Sequence, residues 1–475
     1  MASEKAKHVV VIGAGPGGYS AAFAAADLGM DVTMIDREAR PGGVCLHHGC
    51  IPTKALLDVA RLIRDAGDAE KRGVKFSKPK IDVDKVRSWQ QGVVGKLAGG
   101  LESLAKQRKV RFVHGTAELR SATTVRVAPA AAGEAEEITF DACIVATGST
   151  PVGIPGLEIE HERVMNSDAA LGIPDIPGSL LVVGGGYIGL EMAVVYSAFG
   201  SKVTVVEMTD GLLPPVDRDM VKILQKKLAG QFEAIHLKTK VTDMQAGDDG
   251  VTVTLEGEDV ESPEQTFDKV LVAVGRRTLV DNVGLGNVGV EVGDDGFVKV
   301  DGQRRTSEPT IFAIGDITGA PMLAHKASHE GRVAAEAIAG KKTVFDPRAI
   351  PSVVYTEPEV VWCGLTEMEA AEQGREVTVT RVPWQTSSRA LTMHHPEGVT
   401  KLLMDPDNGR ILGLGAVGIN AGEIIGEAMV AIEMGAVAAD LELTIHPHPT
   451  LSETIMEAAE LYKGYSTHIL RRSRK

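Results

Sequence analysis

The sequence predicts an α/β chain in which one Rossmann-like dinucleotide-binding unit occurs twice and is followed by a C-terminal α+β domain. Three observations predict it. Apolar residues 8–12 run into Gly13-Ala14-Gly15-Pro16-Gly17-Gly18, residues 19–28 have helical spacing, 31–35 form a second apolar run, and Asp36 closes the unit. The same order returns as 179–183, Gly184-Gly185-Gly186-Tyr187-Ile188-Gly189, 190–199, 202–206 and Glu207, and in both copies the acid follows the first glycine by 23 positions (36 − 13 and 207 − 184). From residue 350 onward strands and amphipathic helices alternate without a Gly-rich loop, so this part is of another kind.

Each loop has a physical task. The glycines allow a tight turn and let a helix N-terminus approach a pyrophosphate, and the acid accepts ribose hydroxyls. Gly13, Gly15, Gly18 and Asp36 in the first unit, with Gly184, Gly186, Ile188, Gly189 and Glu207 in the second, are therefore candidate cofactor-binding positions. A lone G-x-G-x-x-G is weak evidence; strand, helix and acid in register make it strong. One unit used twice implies two dinucleotides. Glu207 would repel a 2′-phosphate and no Arg occurs in Met208-Thr209-Asp210, which favours NAD over NADP.

The length of 475 residues predicts about three domains. With 44% hydrophobic and 24% charged residues the composition is that of a soluble globular protein, and the net charge of −14 argues against a nucleic-acid footprint. No stretch approaches the ~18 apolar residues of a membrane span. Met1-Ala2-Ser3-Glu4-Lys5-Ala6-Lys7 has no signal-type core behind it, and only four cysteines occur; both point to the cytoplasm, where a disulfide is catalytic and transient. The basic run Arg471-Arg472-Ser473-Arg474-Lys475 reads as a solvated end.

Between the loops, residues 55–110 read as mostly helical, with apolar spacing in 55–63 and 86–104. Residues 111–127 read as hairpin strands around Gly115, and 130–137 as a polar, Ala-rich loop. Residues 141–149 form a buried strand ending in Thr147-Gly148-Ser149, with Cys143 as inert packing. A Pro/Gly-rich linker is expected over 151–177. Further on, 270–274 is a buried strand ending in Gly275-Arg276. Residues 306–316 end in Gly315-Asp316, and a helix begins near Pro321-Met322-Leu323-Ala324-His325. The last part carries strands 351–355, 377–382, 400–404 and 411–417 and a helix over 421–434; His394 and His395 read as surface residues.

The chemistry concentrates in Gly42-Gly43-Val44-Cys45-Leu46-His47-His48-Gly49-Cys50-Ile51-Pro52-Thr53-Lys54. Cys45 and Cys50 stand at the wrong spacing for a thioredoxin-like C-x-x-C, and no second pair completes a zinc site. Two buried free thiols are the plain alternative. The flanking glycines and Lys54 favour a redox dithiol beside a cofactor. Near the other end lies Thr444-Ile445-His446-Pro447-His448-Pro449-Thr450-Leu451-Ser452-Glu453. Thr450-x-x-Glu453 fits a capping box. Glu453 also follows His448 by five positions, close enough to bond and orient the imidazole and raise its basicity. His446 is expected to play a supporting part, and His-x-His lacks a third metal ligand, so no metal site is expected.

The segment 42–54 resembles the redox-active site of the flavoprotein disulfide reductases, and Gly-Cys-Ile-Pro-Thr-Lys is most similar to the members that oxidise dihydrolipoamide. The similarity runs over nearly the whole chain. It implies FAD on the first unit and NAD on the second, with an FAD-binding domain over 1–150, an NAD-binding domain over 151–279, the remaining FAD-binding or central part over 280–349, and a dimerisation domain over 350–475. It implies a redox-active Cys45–Cys50 disulfide. Gly43, Lys54, Gly115, Thr147, Gly148, Ser149, Asp316, Met322, Leu323, Ala324 and His325 belong with the flavin nucleotide. Lys54 and Glu191 resemble the ion pair beside the flavin ring, although a first-turn helix-dipole role suits Glu191 equally. Gly275 and Arg276 complete the cofactor positions.

The same resemblance makes His448, with Glu453, the base serving the neighbouring subunit's dithiol, and so implies a homodimer. The implied reaction is reoxidation of protein-bound dihydrolipoamide with NAD⁺. The partner is a lipoyl carrier of a 2-oxoacid dehydrogenase complex, a glycine-cleavage system or another lipoate-binding protein. Departures from the family pattern are Asp36 for Glu, His47-His48 for Asn-Val, Pro447 for a small residue, and the missing Pro-Asn after Gly275-Arg276-Arg277-Thr278. Paired imidazoles beside the sulfurs can lower a thiol pKa or shift redox poise. A mercuric reductase would add a C-terminal Cys pair, but no cysteine follows Cys363. A transhydrogenase would lack the dithiol, and a glutathione reductase would want arginines near Glu207. A flavin-bearing docking subunit of a lipoyl-protein complex is the alternative of another class.

Overall fold

Four runs rich in Val and Ile set the first sheet. Strands buried on both faces read as continuous apolar runs, the mark of a parallel sheet. In this computed structural model, which describes residues 6–470, His8–Ile12 pairs in parallel with Asp31–Asp36 on one side and Ala142–Val145 on the other. Ile311–Ala313 joins Ala142–Val145 at the edge. The chain thus leaves this sheet, builds a second unit and returns. On the opposite side Asp31–Asp36 pairs with Arg111–Ser121, which continues antiparallel into Thr124–Pro129 and Glu136–Thr139 to complete seven strands. The helices Pro16–Asp27 and Ala324–Ile338 meet backbone to backbone: a Cβ on Gly331 would lie 2.6 Å from the Gly17 carbonyl oxygen.

The second sheet is parallel, in the order Ala234–His236, Lys202–Val206, Ser179–Val183, Lys269–Val272, Val164–Met165. A three-stranded antiparallel sheet (Lys240–Gly247, Gly250–Glu256, Glu264–Phe267) packs against it through Val251, Val253 and Leu255. The third layer is antiparallel, in the order Ser352–Val354, Glu359–Gly364, Ile411–Gly418, Val399–Met404, Thr378–Pro383, with the helices Ala421–Met434 and Glu453–Lys463 on it. No helix among the described residues is long and apolar enough to cross a membrane.

Several expectations change. The stretch 151–177 is not a plain linker: Val164–Met165 forms the sheet edge, and the helix Ser167–Leu171 is capped by Asn166, whose side chain accepts from the Ala169 N–H at 2.9 Å. Such short elements exist through their pairing and leave little periodicity. Gly115 is not at a hairpin turn but inside Arg111–Ser121, opposite Pro129, where a Cβ would meet the Ala128 carbonyl at 2.5 Å. The loop over 130–137 is shorter than expected, because Glu136–Thr139 is already strand. His395 is buried, lying 3.7 Å from Asp65 and 3.8 Å from Glu397, while His394 is exposed. Cys143 is fully buried, and burial pushes its thiol up. The first five residues and the basic run at 471–475, both read above, lie outside the described residues.

Candidate active site

The two glycine loops are built alike, glycine by glycine. A Cβ on Gly13 would sit 2.2 Å from the Ala146 carbonyl, and one on Gly184 2.4 Å from that of Ala273, so the first glycine passes under the neighbouring strand end. A Cβ on Gly15 would touch only Gly43 Cα at 3.9 Å, and one on Gly186 would meet nothing within 4 Å, so the second glycine keeps ligand space clear. Gly18 and Gly189 would strike the carbonyls of Gly13 and Gly184, so the third lets helix and loop close up. The acids match too. Asp36 accepts the N–H groups of Ala14 (2.5 Å) and Glu38 (2.8 Å); Glu207 accepts those of Gly185 (2.6 Å) and Thr209 (2.8 Å).

One cleft runs from the first loop past the cysteines to Tyr187 and Ile188 at the start of the helix Tyr187–Phe199. Of the expected residues it is lined by Gly13, Gly15, Asp36, Gly43, Cys45, Cys50, Lys54, Thr147, Gly148, Ser149, Ile188, Glu191, Arg276, Asp316, Met322 and Ala324. Gly18, Gly115, Gly184, Gly186, Gly189, Glu207, Gly275, Leu323 and His325 do not line it. Leu323 is the N-cap of Ala324–Ile338, and the His325 ring lies 2.8 Å from the Pro351 carbonyl. Tyr187, Asp168 and Glu38 also line the cleft and were not singled out from sequence, since nothing local marks them. A glycine cradle, donating helix N-terminal N–H groups and an accepting carboxylate at the strand end are the groups an adenine dinucleotide needs.

Cys45 rides on the short helix Gly43–His47, and Cys50 opens the long helix Cys50–Asp68. Both are free thiols. Their chemistry is split: the Cys45 thiol donates a hydrogen bond to Cys50, which, with the Lys54 ammonium, lowers the Cys50 thiol to about 7, while the same bond and burial push Cys45 up. Position at a helix start works in the same direction for Cys50. Lys54, one turn further along, reaches Glu191 (Nζ–Oε2 2.8 Å) and lies 4.5 Å from the centre of the Tyr355 ring. The other Glu191 oxygen accepts the Tyr355 N–H at 2.9 Å. Glu191 is the fifth residue of Tyr187–Phe199 and is buried, so it is an ion-pair partner and not a first-turn dipole residue.

The strand ends meet across the cleft. Ser149 donates to Asp316 at 2.5 Å, and Arg276 donates to the Ser149 hydroxyl and carbonyl, both at 2.8 Å. The fully buried Glu330 accepts the Gly315 N–H at 2.6 Å and pairs with Lys326 and Arg304. These three hold the turn that carries Asp316. Their only sequence signal was the i,i+4 spacing of Lys326 and Glu330.

His448 and Glu453 meet as expected, Nδ1 to Oε1 at 2.9 Å, and the second Glu453 oxygen accepts the Thr450 N–H at 2.7 Å. The capping box is only half formed. The helix begins at Glu453 with Ser452 as N-cap, and the Thr450 hydroxyl donates to the Pro447 carbonyl. The His448 side chain is 64% exposed and does not line the dithiol cleft of its own chain.

The pyridine nucleotide-disulphide oxidoreductase family matches residues 7–331, and its dimerisation domain matches residues 350–459. The chain belongs to this family. Among curated members, the dihydrolipoyl dehydrogenase of Vibrio cholerae is 48% identical over 473 residues, covering 99% of this chain and 98% of that protein. That of Haemophilus influenzae is 49% identical over 469 residues, covering 99% and 98%. Among solved structures, LpdA from Mycobacterium tuberculosis superposes with a TM-score of 0.89 at 26% identity, covering 96% of this chain and 99% of that one. The HOCl-induced flavoprotein disulfide reductase RclA from Escherichia coli follows at 0.84 and 27%, covering 96% and 99%. The dihydrolipoyl dehydrogenases of the pyridine nucleotide-disulphide oxidoreductase family are NAD-dependent flavoproteins that use FAD and NAD⁺.

Proposed function

We propose that the chain oxidises dihydrolipoamide presented by a lipoyl-carrier protein, with NAD⁺ as acceptor, as a cytoplasmic homodimer. The observation that carries this reading is the split dithiol at the start of Cys50–Asp68, with Cys50 lowered to about 7 beside Lys54 in a cleft that also holds a glycine cradle. Gly13, Gly15, Asp36, Thr147, Gly148, Ser149 and Asp316 would hold FAD; Gly184, Gly186, Glu207 and Arg276 would hold NAD. The division into 1–150, 151–279, 280–349 and 350–475 assigns one task to each part.

The chain's own residues account for the sulfur chemistry. With Cys45 and Cys50 joined as a disulfide, a substrate thiolate attacks Cys45; the S–S bond breaks and Cys50 leaves as thiolate. The lower pKa makes Cys50 the better leaving group. The second substrate thiol then attacks the mixed disulfide, releasing lipoamide and leaving Cys45 reduced. His448, oriented by Glu453, takes the proton of the first substrate thiol, and the second proton passes to Cys45 as it leaves the mixed disulfide. Its exposure supports a role at the neighbouring subunit's dithiol. Lys54, paired to Glu191, keeps a positive charge beside Cys50. FAD, when bound, would accept the electron pair and pass hydride to NAD⁺.

The test is steady-state oxidation of dihydrolipoamide by the purified, flavin-loaded protein. Turnover with NAD⁺, abolished in Cys45→Ser, supports the reading. Absence of turnover in the wild type contradicts it. A docking role in place of catalysis predicts that a lipoyl-protein complex keeps its activity with Cys45→Ser.

A further inference from the structure

His446 lies two positions before His448 and is far better covered, 4% exposed at the side chain against 64%. Both its ring nitrogens face oxygen acceptors. Nε2 is 2.7 Å from Glu427 Oε1 on Ala421–Met434, and Nδ1 is 2.8 Å from the Thr444 carbonyl. A neutral imidazole has a single N–H and satisfies one of the two. The two contacts hold the ring between the chain at Thr444 and the helix Ala421–Met434.

The segment 444–453 is tied down on both sides of His448. Upstream, besides the Glu427 contact, the Thr444 hydroxyl donates to the Asp440 carbonyl at 2.7 Å. Downstream, Glu453 holds the His448 ring and the Thr450 N–H, and the Thr450 hydroxyl donates to Pro447. Pro447 and Pro449 fix φ on either side of the histidine. His448 is left exposed at the tip, with one ring nitrogen held. We propose that His446 and Glu427 form a positioning pair for the general base. The Nε2–Glu427 contact ties the loop to Ala421–Met434, and removing it loosens the presentation of His448. Glu423 and Arg389 line the same groove as Glu427. The inference rests on the reading of His448 as the base for dihydrolipoamide oxidation.

The experiment compares wild type, His446→Ala and His446→Gln as flavin-loaded proteins, recording kcat/KM for dihydrolipoamide against pH. NADH-dependent ferricyanide reduction, which needs no base at the dithiol, reports folding and flavin loading. His446→Ala is expected to lose about 10- to 100-fold in kcat/KM, the scale of a misplaced catalytic group. Glutamine can still donate to Glu427, so His446→Gln is expected to recover most of the loss. Wild-type kcat/KM in His446→Ala overturns the proposal. If His446→Ala loses both activities together, His446→Gln decides: with ferricyanide reduction intact, recovered kcat/KM supports the proposal, and kcat/KM as low as in His446→Ala overturns it. A wild type unable to oxidise dihydrolipoamide sinks the functional reading itself, a result distinct from either.

Discussion

Lys54 and Glu191 join the helix of the dithiol to the helix of the second dinucleotide loop, Nζ to Oε2 at 2.8 Å, with Glu191 3% exposed. The pair therefore does two things at once. It neutralises a buried carboxylate, and it keeps a cation beside Cys50. Lys54→Met is expected to leave Glu191 uncompensated and to lower stability by about 3 kcal/mol, read as a fall in Tm. It is also expected to raise the Cys50 thiol pKa, read from ultraviolet thiolate absorbance of the reduced protein against pH. An unchanged Cys50 titration would separate the ammonium from the sulfur.

The reduced protein carries a pH signature. Cys50 is lowered from 9.0 to about 7, so between those values the unfolded chain keeps a proton that the folded chain has released. Stability from this group rises with pH across that window and is lost as pH falls through about 7. Cys45 is raised, so above 9.0 the folded chain keeps a proton that the unfolded one loses, and stability falls. Melting curves under reducing conditions are expected to rise from pH 7 to 9 and then decline, and Cys50→Ser is expected to flatten the rise.

The matched hydrogen bonds of Asp36 and Glu207 predict matched but separable effects. Each carboxylate holds its own loop N–H and the N–H two residues further on. Glu207→Ala is expected to raise KM for NAD⁺ about tenfold, roughly 1.4 kcal/mol, and to narrow discrimination against NADP⁺ while flavin content stays the same. Asp36→Ala is expected to lower flavin retention, read from the ratio of flavin to protein absorbance. A loss of flavin in Glu207→Ala would contradict the assignment of the two units.

The buried His395 predicts a second pH effect, away from the cleft. It faces Glu397, Asp65 and Glu357, and the nearby Glu397 carboxylate raises its pKa above 6.5; His395 and Lys227 hold Glu397 down at about 2. The raised histidine stabilises below 6.5 and loses that contribution as pH rises through its folded value; the lowered carboxylate stabilises above 4.5 and loses it as pH falls toward 2. His395→Gln is therefore expected to lower Tm most between 4.5 and 6.5, with the difference from wild type shrinking above that range.

What was legible in the sequence had a local cause. The strands 179–183 and 202–206 and the helix over 421–434 were read to the residue, because apolar runs bounded by glycine fix their own limits. The acids Asp36 and Glu207 were legible as a distance from a glycine. Val164–Met165 was not read, because it is two residues long and its pairing partner Lys269–Val272 is distant in sequence. His395 was misread as surface because Asp65, on Cys50–Asp68, reaches it only when two distant parts of the chain pack together. Glu330 and Lys326 show the same limit: a helical i,i+4 pair says nothing of the turn at Gly315–Thr318 that it holds.

The most direct measurement is an anaerobic titration of the flavin-loaded protein with dihydrolipoamide, followed by visible absorbance. Electron transfer through this dithiol predicts a long-wavelength charge-transfer band from the Cys50 thiolate, growing to one equivalent per subunit and absent in Cys50→Ser. A protein that purifies colourless, or a band that persists in Cys50→Ser, would contradict it.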